Sequence, residues 1–335
     1  MRKLAFFAAV AATLCTVACN KDLNSASKLE TPVISEDGRV EVTLTVTGGP
    51  MTKSADQDID DNLSVVHNIQ FFAFNEDESI DTYVKVTDGM SGSMRVKAGQ
   101  KKFWAVVNAD DITNVQTLDQ LKAIKTQLAD NADGFVMVGS YNSNVGTQPI
   151  PIEVKRLASR VVLKKVTAAF TSPAEAALDC ILKRVYLINV AGDFNLGYTD
   201  DPTVWYSKMA YESPTGLDDL LNTTLTPGHN LKNAAYEVPS YHYCYQNHKQ
   251  PDTQSTTWSP RFTRIVAEVE LGGTTYYYPV NLQYIDYGKS YEIENLTITR
   301  KGSTSPDQPI TIQDGTFEIT VKDWTVVPVT SGITI

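Results

Sequence analysis

Beyond its first nineteen residues the chain has no run approaching the roughly 18 apolar residues that a membrane-crossing helix needs, so a membrane link would rest on an attached lipid. Positive clusters are missing too: Lys and Arg reach only pairs such as Lys101-Lys102 and Lys164-Lys165, against a net charge of −10. That balance provides no footprint for a phosphate backbone, and nucleic acid is not an expected partner. Cysteine is scarce, with Cys15 and Cys19 near the N-terminus and only Cys180 and Cys244 beyond. An exported protein permits a disulfide between those two, and buried free thiols serve equally well. There is no Walker loop, dinucleotide fingerprint, GxSxG elbow or HExxH helix, so neither an enzyme nor a cofactor is expected.

What is present begins with an export signal. Arg2 and Lys3 precede the apolar core Leu4 to Val17, and Ala18 stands directly before Cys19. That arrangement resembles a lipoprotein signal over residues 1–18, with Cys19 taking acyl chains such as palmitate; a plain signal peptide ending nearby is the alternative. Cys15 fits less well because the bulky Leu14 precedes it. Asn20 to Glu36 is polar, aperiodic and tether-like.

The stretch Gly38 to Gln57 organises the rest. Val40, Val42, Leu44 and Val46 alternate with Glu41, Thr43 and Thr45, the signature of a half-buried strand. Gly48, Gly49 and Pro50 end the pairing, and Lys53 follows in a polar segment open to a trypsin-like protease. A cut there would free the first strand and open an apolar groove with unpaired edges. The tail offers a replacement, since Val327, Val329, Ile333 and Ile335 share one parity. Loss of one strand and gain of its counterpart from the next subunit is strand addition, which repeated head to tail builds a fibre.

Further strands are expected at Val65 to Phe74, Tyr83 to Val86, Ser91 to Val96 and Lys102 to Val107, the last two as a pair joined at Ala98-Gly99-Gln100. Thr117 to Gln120 has the form of a capping box, predicting an amphipathic helix over Leu118 to Leu128. A strand at Phe135 to Val138 precedes a Gly, Asn and Pro-rich connection at Tyr141 to Pro149. Ile152 to Leu163 reads as one long strand whose broken parity predicts a bulge or a bend near Ala158. Ser172 to Glu175 suggests a short helix reaching Leu182, before a strand at Lys183 to Val190. Gly272-Gly273 marks a hairpin between Arg264 to Leu271 and Thr275 to Leu282, and Tyr291 to Thr299 and Thr316 to Lys322 complete an antiparallel set.

The order of several motifs then matters more than any one. Ala18-Cys19-Asn20-Lys21-Asp22, Ala98-Gly99-Gln100 before Val106-Val107-Asn108, the TLDQLKAIKTQL helix, Lys155-Arg156 with Ala158-Ser159-Arg160, Tyr277-Tyr278-Pro279-Val280 and the closing Asp323-Trp324 together resemble the FimA-type fimbrillins of Bacteroidales, type V pilus subunits, over the whole chain. The resemblance implies a mainly β protein of two β-sandwich-like (transthyretin-like) domains with one or two short helices. It divides the chain into signal (1–18), lipidated propeptide with the removable first strand (19–53), N-terminal domain (54–150) and C-terminal domain with the donor tail (151–335). Identical subunits, an Arg- or Lys-specific maturation protease and the outer membrane are the implied partners, with a host or bacterial surface ligand as a further one. Lys53 stands where the family has the cleaved Arg. The location implied is a surface fimbrium, reached from an outer-membrane precursor, with adhesion and biofilm formation as outcomes. Competing readings are a surface lipoprotein that binds glycans without polymerising, and a pilus tip or anchor subunit.

Four other features invite a chemical reading. Asp56 to Asp61 begins like a calcium loop, but Asp61 stands where glycine is needed and His67 where a bidentate carboxylate should close it. His242, Cys244 and His248 are three possible ligands without a fourth, and no metal is assigned. Trp205-Tyr206 and Trp258 could form a sugar platform or complete a core, while Arg156 and Arg160 are expected to form ion pairs at the domain junction.

Overall fold

A computed structural model of the chain describes residues 37–48, 65–199, 201–249, 257–308, 315–316 and 318–324. Cys19, Lys53, the Asp56 to Asp61 run and the tail residues Val327, Val329, Ile333 and Ile335 lie outside them. The described chain is mainly β, with three short α-helices, as the alternating sequence implies.

The first part runs β1 (Arg39–Gly48), β2 (Ile69–Phe74), β3 (Ile80–Val86), β4 (Ser91–Lys97), β5 (Gln100–Val107), α1 (Leu118–Ala123), β6 (Lys125–Gln127), β7 (Met137–Asn144) and β8 (Ile150–Arg156). Seven of these strands form one sheet in the order β3-β2-β5-β7-β8-β1-β4. Its two end strands approach each other: a Cβ on Gly92 of β4 would lie 2.7 Å from Val86 Cγ2 of β3. The sheet thus curls round an apolar interior that includes Leu44, Phe71 and Phe103, all fully buried. Asp81 on β3 pins this closure by accepting from the Lys97 amide (2.7 Å) and pairing with Lys101 (3.1 Å) and Arg39 (3.4 Å).

Two expectations change here. β4 and β5 are not hydrogen-bonded partners; β4 pairs with β1, and β5 lies between β2 and β7. Between them Gly99 adopts φ +116°, a conformation natural to glycine, and sends the chain to a different place in the sheet. The helix is also shorter than its apolar period suggests. Thr117 Oγ1 caps it by accepting from the Gln120 amide at 3.3 Å, but Ile124 is already extended. The chain turns there to pair as β6 with a strand from the second part, a tertiary contact that overrides local propensity.

The long strand read from Ile152 to Leu163 is two. β8 belongs to the first sheet, and after Leu157-Ala158 the chain continues as β9 (Ser159–Leu163) in another, so the parity break marks the crossing between sheets. Tyr141 to Asn144, expected in the connection, extend β7. The second part continues as β10 (Val166–Ala168), α2 (Pro173–Ala176), β11 (Cys180–Ile188), β12 (Val190–Ala191), β13 (Asp193–Asn195), β14 (Trp205–Tyr206), α3 (Asp218–Leu221), β15 (Asn222–Asn230), β16 (Ser240–Cys244), β17 (Thr263–Leu271), β18 (Thr274–Leu282), β19 (Lys289–Ile293), β20 (Leu296–Ile298), β21 (Gly315–Thr316) and β22 (Ile319–Asp323). Its two four-stranded sheets have the orders β15-β11-β17-β18 and β16-β9-β19-β22. The β17-β18 hairpin turns at Gly272 and Gly273, whose φ values of +58° and +84° suit the tight turn that their sequence signals.

Candidate functional site

The site is assembled from β1, its two neighbours and the end of β22. β1 is an inner strand, paired antiparallel with β4 from Arg39↔Lys97 to Thr45↔Ser91 and parallel with β8 from Leu44↔Ile150 to Gly48↔Val154. Val40, Val42, Leu44 and Val46 are each at most 2% exposed, so the alternating row lies inward as read from the sequence. Opposite them in register, Val96 and Met94 of β4 and Ile150 and Ile152 of β8 continue the same apolar layer. On the outer face, hydroxyls pair across the strands, Thr43 with Ser93 (3.3 Å) and Thr45 with Ser91 (2.9 Å).

The four inward side chains represent roughly 6–12 kcal/mol of gross apolar burial, at about 1.5–3 kcal/mol each. Withdrawing β1 would uncover that layer and bare one edge of β4 and one of β8, so the vacancy has the shape and the hydrogen-bonding pattern of a strand. Arg39 begins β1, where it is paired in the ladder and bonded to the Arg95 carbonyl at 2.7 Å, so a cut after it would leave the strand attached to the chain.

The inward row of β8 reads Ile150, Ile152, Val154 and then Arg156, all buried. Arg156 forms no ion pair among the described residues, contrary to expectation. Its guanidinium lies 4.3 Å from the centre of the Trp324 ring and 5.4 Å from that of Phe135, and Nη1 donates to the Trp324 carbonyl at 3.2 Å. Burial, and then the nearby Arg160, pull this guanidinium down to about 10, leaving it charged at neutral pH. Phe135 meets the Trp324 ring edge-on at 4.8 Å and Tyr243 stacks on it at 5.7 Å. A cavity of about 390 Å³ lies beside this cage, lined among others by Gly48, Val154, Arg156, Gly288, Asp323 and Trp324. The end of the first strand and the last described residue therefore face one space.

Arg160 does form the expected ion pair, at 3.2 Å from Glu292. Lys164 and Lys322 each approach that carboxylate at 2.7 Å. Burial opposes ionisation of Glu292, but these hydrogen-bonded ammonium groups outweigh it and hold the carboxyl at about 2.

The other sequence candidates are not gathered into sites. His242 and Cys244 are buried in β16, whereas His248 is bonded to Asp286 at 2.7 Å. Neither ring nitrogen of His242 has a hydrogen-bond partner among the described residues, and burial pushes the ring down to about 3. Cys180 and Cys244 are both buried free thiols. Trp205 and Trp258 meet edge to face at 5.7 Å with Lys208 at 4.7 Å over the Trp258 ring, so the rings cover each other and do not form an open sugar platform.

The cage around Trp324 was not read from the sequence, yet Arg156 carries a signal. It shares the parity of Ile150, Ile152 and Val154, which foretells an inward-facing cation.

No family model matches the chain. Its fold is that of the fimbrial and adhesion subunits of Bacteroidales. A Bacteroides eggerthii protein assigned to cell adhesion superposes with a TM-score of 0.64 at 16% identity, covering 86% of this chain and 96% of that one. A fimbrilin (fimA) from Porphyromonas gingivalis gives 0.61 at 14% identity, over 86% and 98% of the two chains. In sequence the chain is similar to the FimA-type major fimbrial subunits: the type-5 FimA subunit of P. gingivalis is 24% identical across 92% of this chain and 94% of its own length.

Proposed function

We propose that this protein is a structural pilin that forms the stalk of a cell-surface fimbria by protease-triggered strand exchange. The observation that carries the reading is β1, a fully inward row seated between two partner strands and followed at Gly48 by the glycine and proline run that leads to Lys53. Similarity to major fimbrial subunits supports it. The precursor is exported with acyl chains on Cys19 and held at the outer membrane; cutting after Lys53 releases residues up to that point together with β1. The emptied groove then accepts Val327, Val329, Ile333 and Ile335 from a neighbour, and the fibre so formed supports adhesion and biofilm growth. Durability is kinetic, since departure requires breaking many ladder hydrogen bonds and exposing the aliphatic row together.

The test is proteolysis of purified precursor with a trypsin-like enzyme. The expected product starts at Ser54 and builds SDS-resistant ladders, whereas Lys53→Ala stays folded and monomeric. Clean cleavage at Lys53 without ladders would favour a non-polymerising binding lipoprotein, and ladders from uncut Lys53→Ala would remove the need for β1 to leave. Fatty-acid labelling lost in Cys19→Ser checks the anchor.

A further inference from the structure

The Trp324 cage holds more than a ring. The Trp324 amide donates to the Gly288 carbonyl at 3.1 Å, its carbonyl accepts from Arg156 Nη1 at 3.2 Å, and its indole is enclosed by Arg156, Phe135 and Tyr243. Both backbone groups and the side chain are thus fixed at the residue that precedes 325–335 in sequence. The place is specific as well. Arg156 stands two residues beyond Val154, the partner of Gly48, or roughly 7 Å further along β8 at the usual strand rise.

Core packing alone does not account for an arginine here. Nε and Nη2 of Arg156 are buried with no hydrogen-bond partner among the described residues, and burying a charge without a carboxylate is costly, whereas an apolar side chain would continue the β8 row. A guanidinium adds a planar face that can stack on an indole and a donor that can orient a carbonyl at the same time. An oriented peptide at Trp324 means that a departing strand starts from a fixed point and direction, which lowers the ordering cost of docking it.

We propose that Arg156 and Trp324 are positioning residues for strand donation, holding the root of the tail beside the mouth of the groove that β1 occupies. The inference rests on the exchange reading above and adds which residues make a subunit a competent donor.

Donation and acceptance can be separated. Uncut precursor keeps β1 in its groove and offers only a tail; cut subunit lacking residues 329–335 offers only a groove. Mixed, they should give a single SDS-resistant dimer. Trp324→Ala in the donor should slow dimer formation roughly tenfold or more, because the tail then searches from a loose root, while in the acceptor it should leave the rate within about twofold. Trp324→Phe, which retains a ring for Arg156 to stack on, should recover most of the donor rate. Arg156→Met in the donor should act in the same direction as Trp324→Ala. Equal slowing in donor and acceptor would show a folding defect and overturn the proposal, as would an unaffected Trp324→Ala donor. A tail-deleted donor that still dimerises would instead sink the exchange reading itself, a distinct outcome.

Discussion

The first and the last described strands are held by opposite chemistries. β1 has a partner on each side, and its four inward side chains are at most 2% exposed. β22 ends its sheet, pairs only with β19 among the described residues, and leaves Val321 54% exposed opposite a buried Tyr291. Charge holds β22: Lys322 reaches Glu292 at 2.7 Å and Asp323 pairs with Lys289. An apolar row packed inward between two partner strands is stable as a block, and the exchange proposed above would have to remove it as a block. An ion-paired edge tolerates water, which would suit a strand that has to remain in place during the proposed exchange.

The comparison breaks most sharply with one charge placed in each strand. Leu44→Asp should cost the uncut precursor about 4 kcal/mol, through a buried unpaired carboxylate, while Val321→Asp should stay within about 0.5 kcal/mol. Urea unfolding of both variants measures it, and comparable losses would erase the distinction.

Next in size is the carboxylate that ties β22 down. Glu292→Gln should cost about 3 kcal/mol at pH 7 by leaving Arg160, Lys164 and Lys322 crowded together. Its folded value of about 2 lies below the ordinary 4.5, so the stability it gives is present above pH 4.5 and is lost as the pH falls towards 2. The difference between wild type and Glu292→Gln should close across that window; a constant difference would assign the effect to packing.

A third measurement concerns His242. Burial depresses its folded value to about 3 from 6.5, so the unfolded chain binds the extra proton between those limits and stability drains away as pH falls from 6.5. The slope should approach about 1.4 kcal/mol per pH unit from this group. His242→Phe should flatten it, and an unchanged acid profile would place the ring elsewhere. The smallest expected effect is at the outer face of β1, where Thr45→Val removes the hydroxyl pair with Ser91 for about 0.5 kcal/mol.

How far the chain could be read follows from where the decisive contacts lie in sequence. The β1 row, the Gly272-Gly273 hairpin and the Thr117 cap are local patterns and stand as read. The partners of β4 and β5 were misread, because pairing between strands fifty residues apart leaves no mark in a short window. α1 ended early for the same reason, since Thr126 is opposite Phe194 in β6-β13. The Trp324 cage draws on residues 135, 156, 243 and 288, and of these only Arg156 shows its burial by parity.

The crossing from β8 to β9 has a mechanical consequence. β8 supplies one wall of the groove and ends at the residue that grips Trp324, and after Leu157-Ala158 the same chain is an inner strand of a sheet in the second part. In the fibre proposed above, tension would pull each subunit through the strand it receives and the tail it gives. Both points would bear on β8, through its ladder to the received strand and through Arg156 on Trp324, so β8 would join the two loads beside β4 and β22.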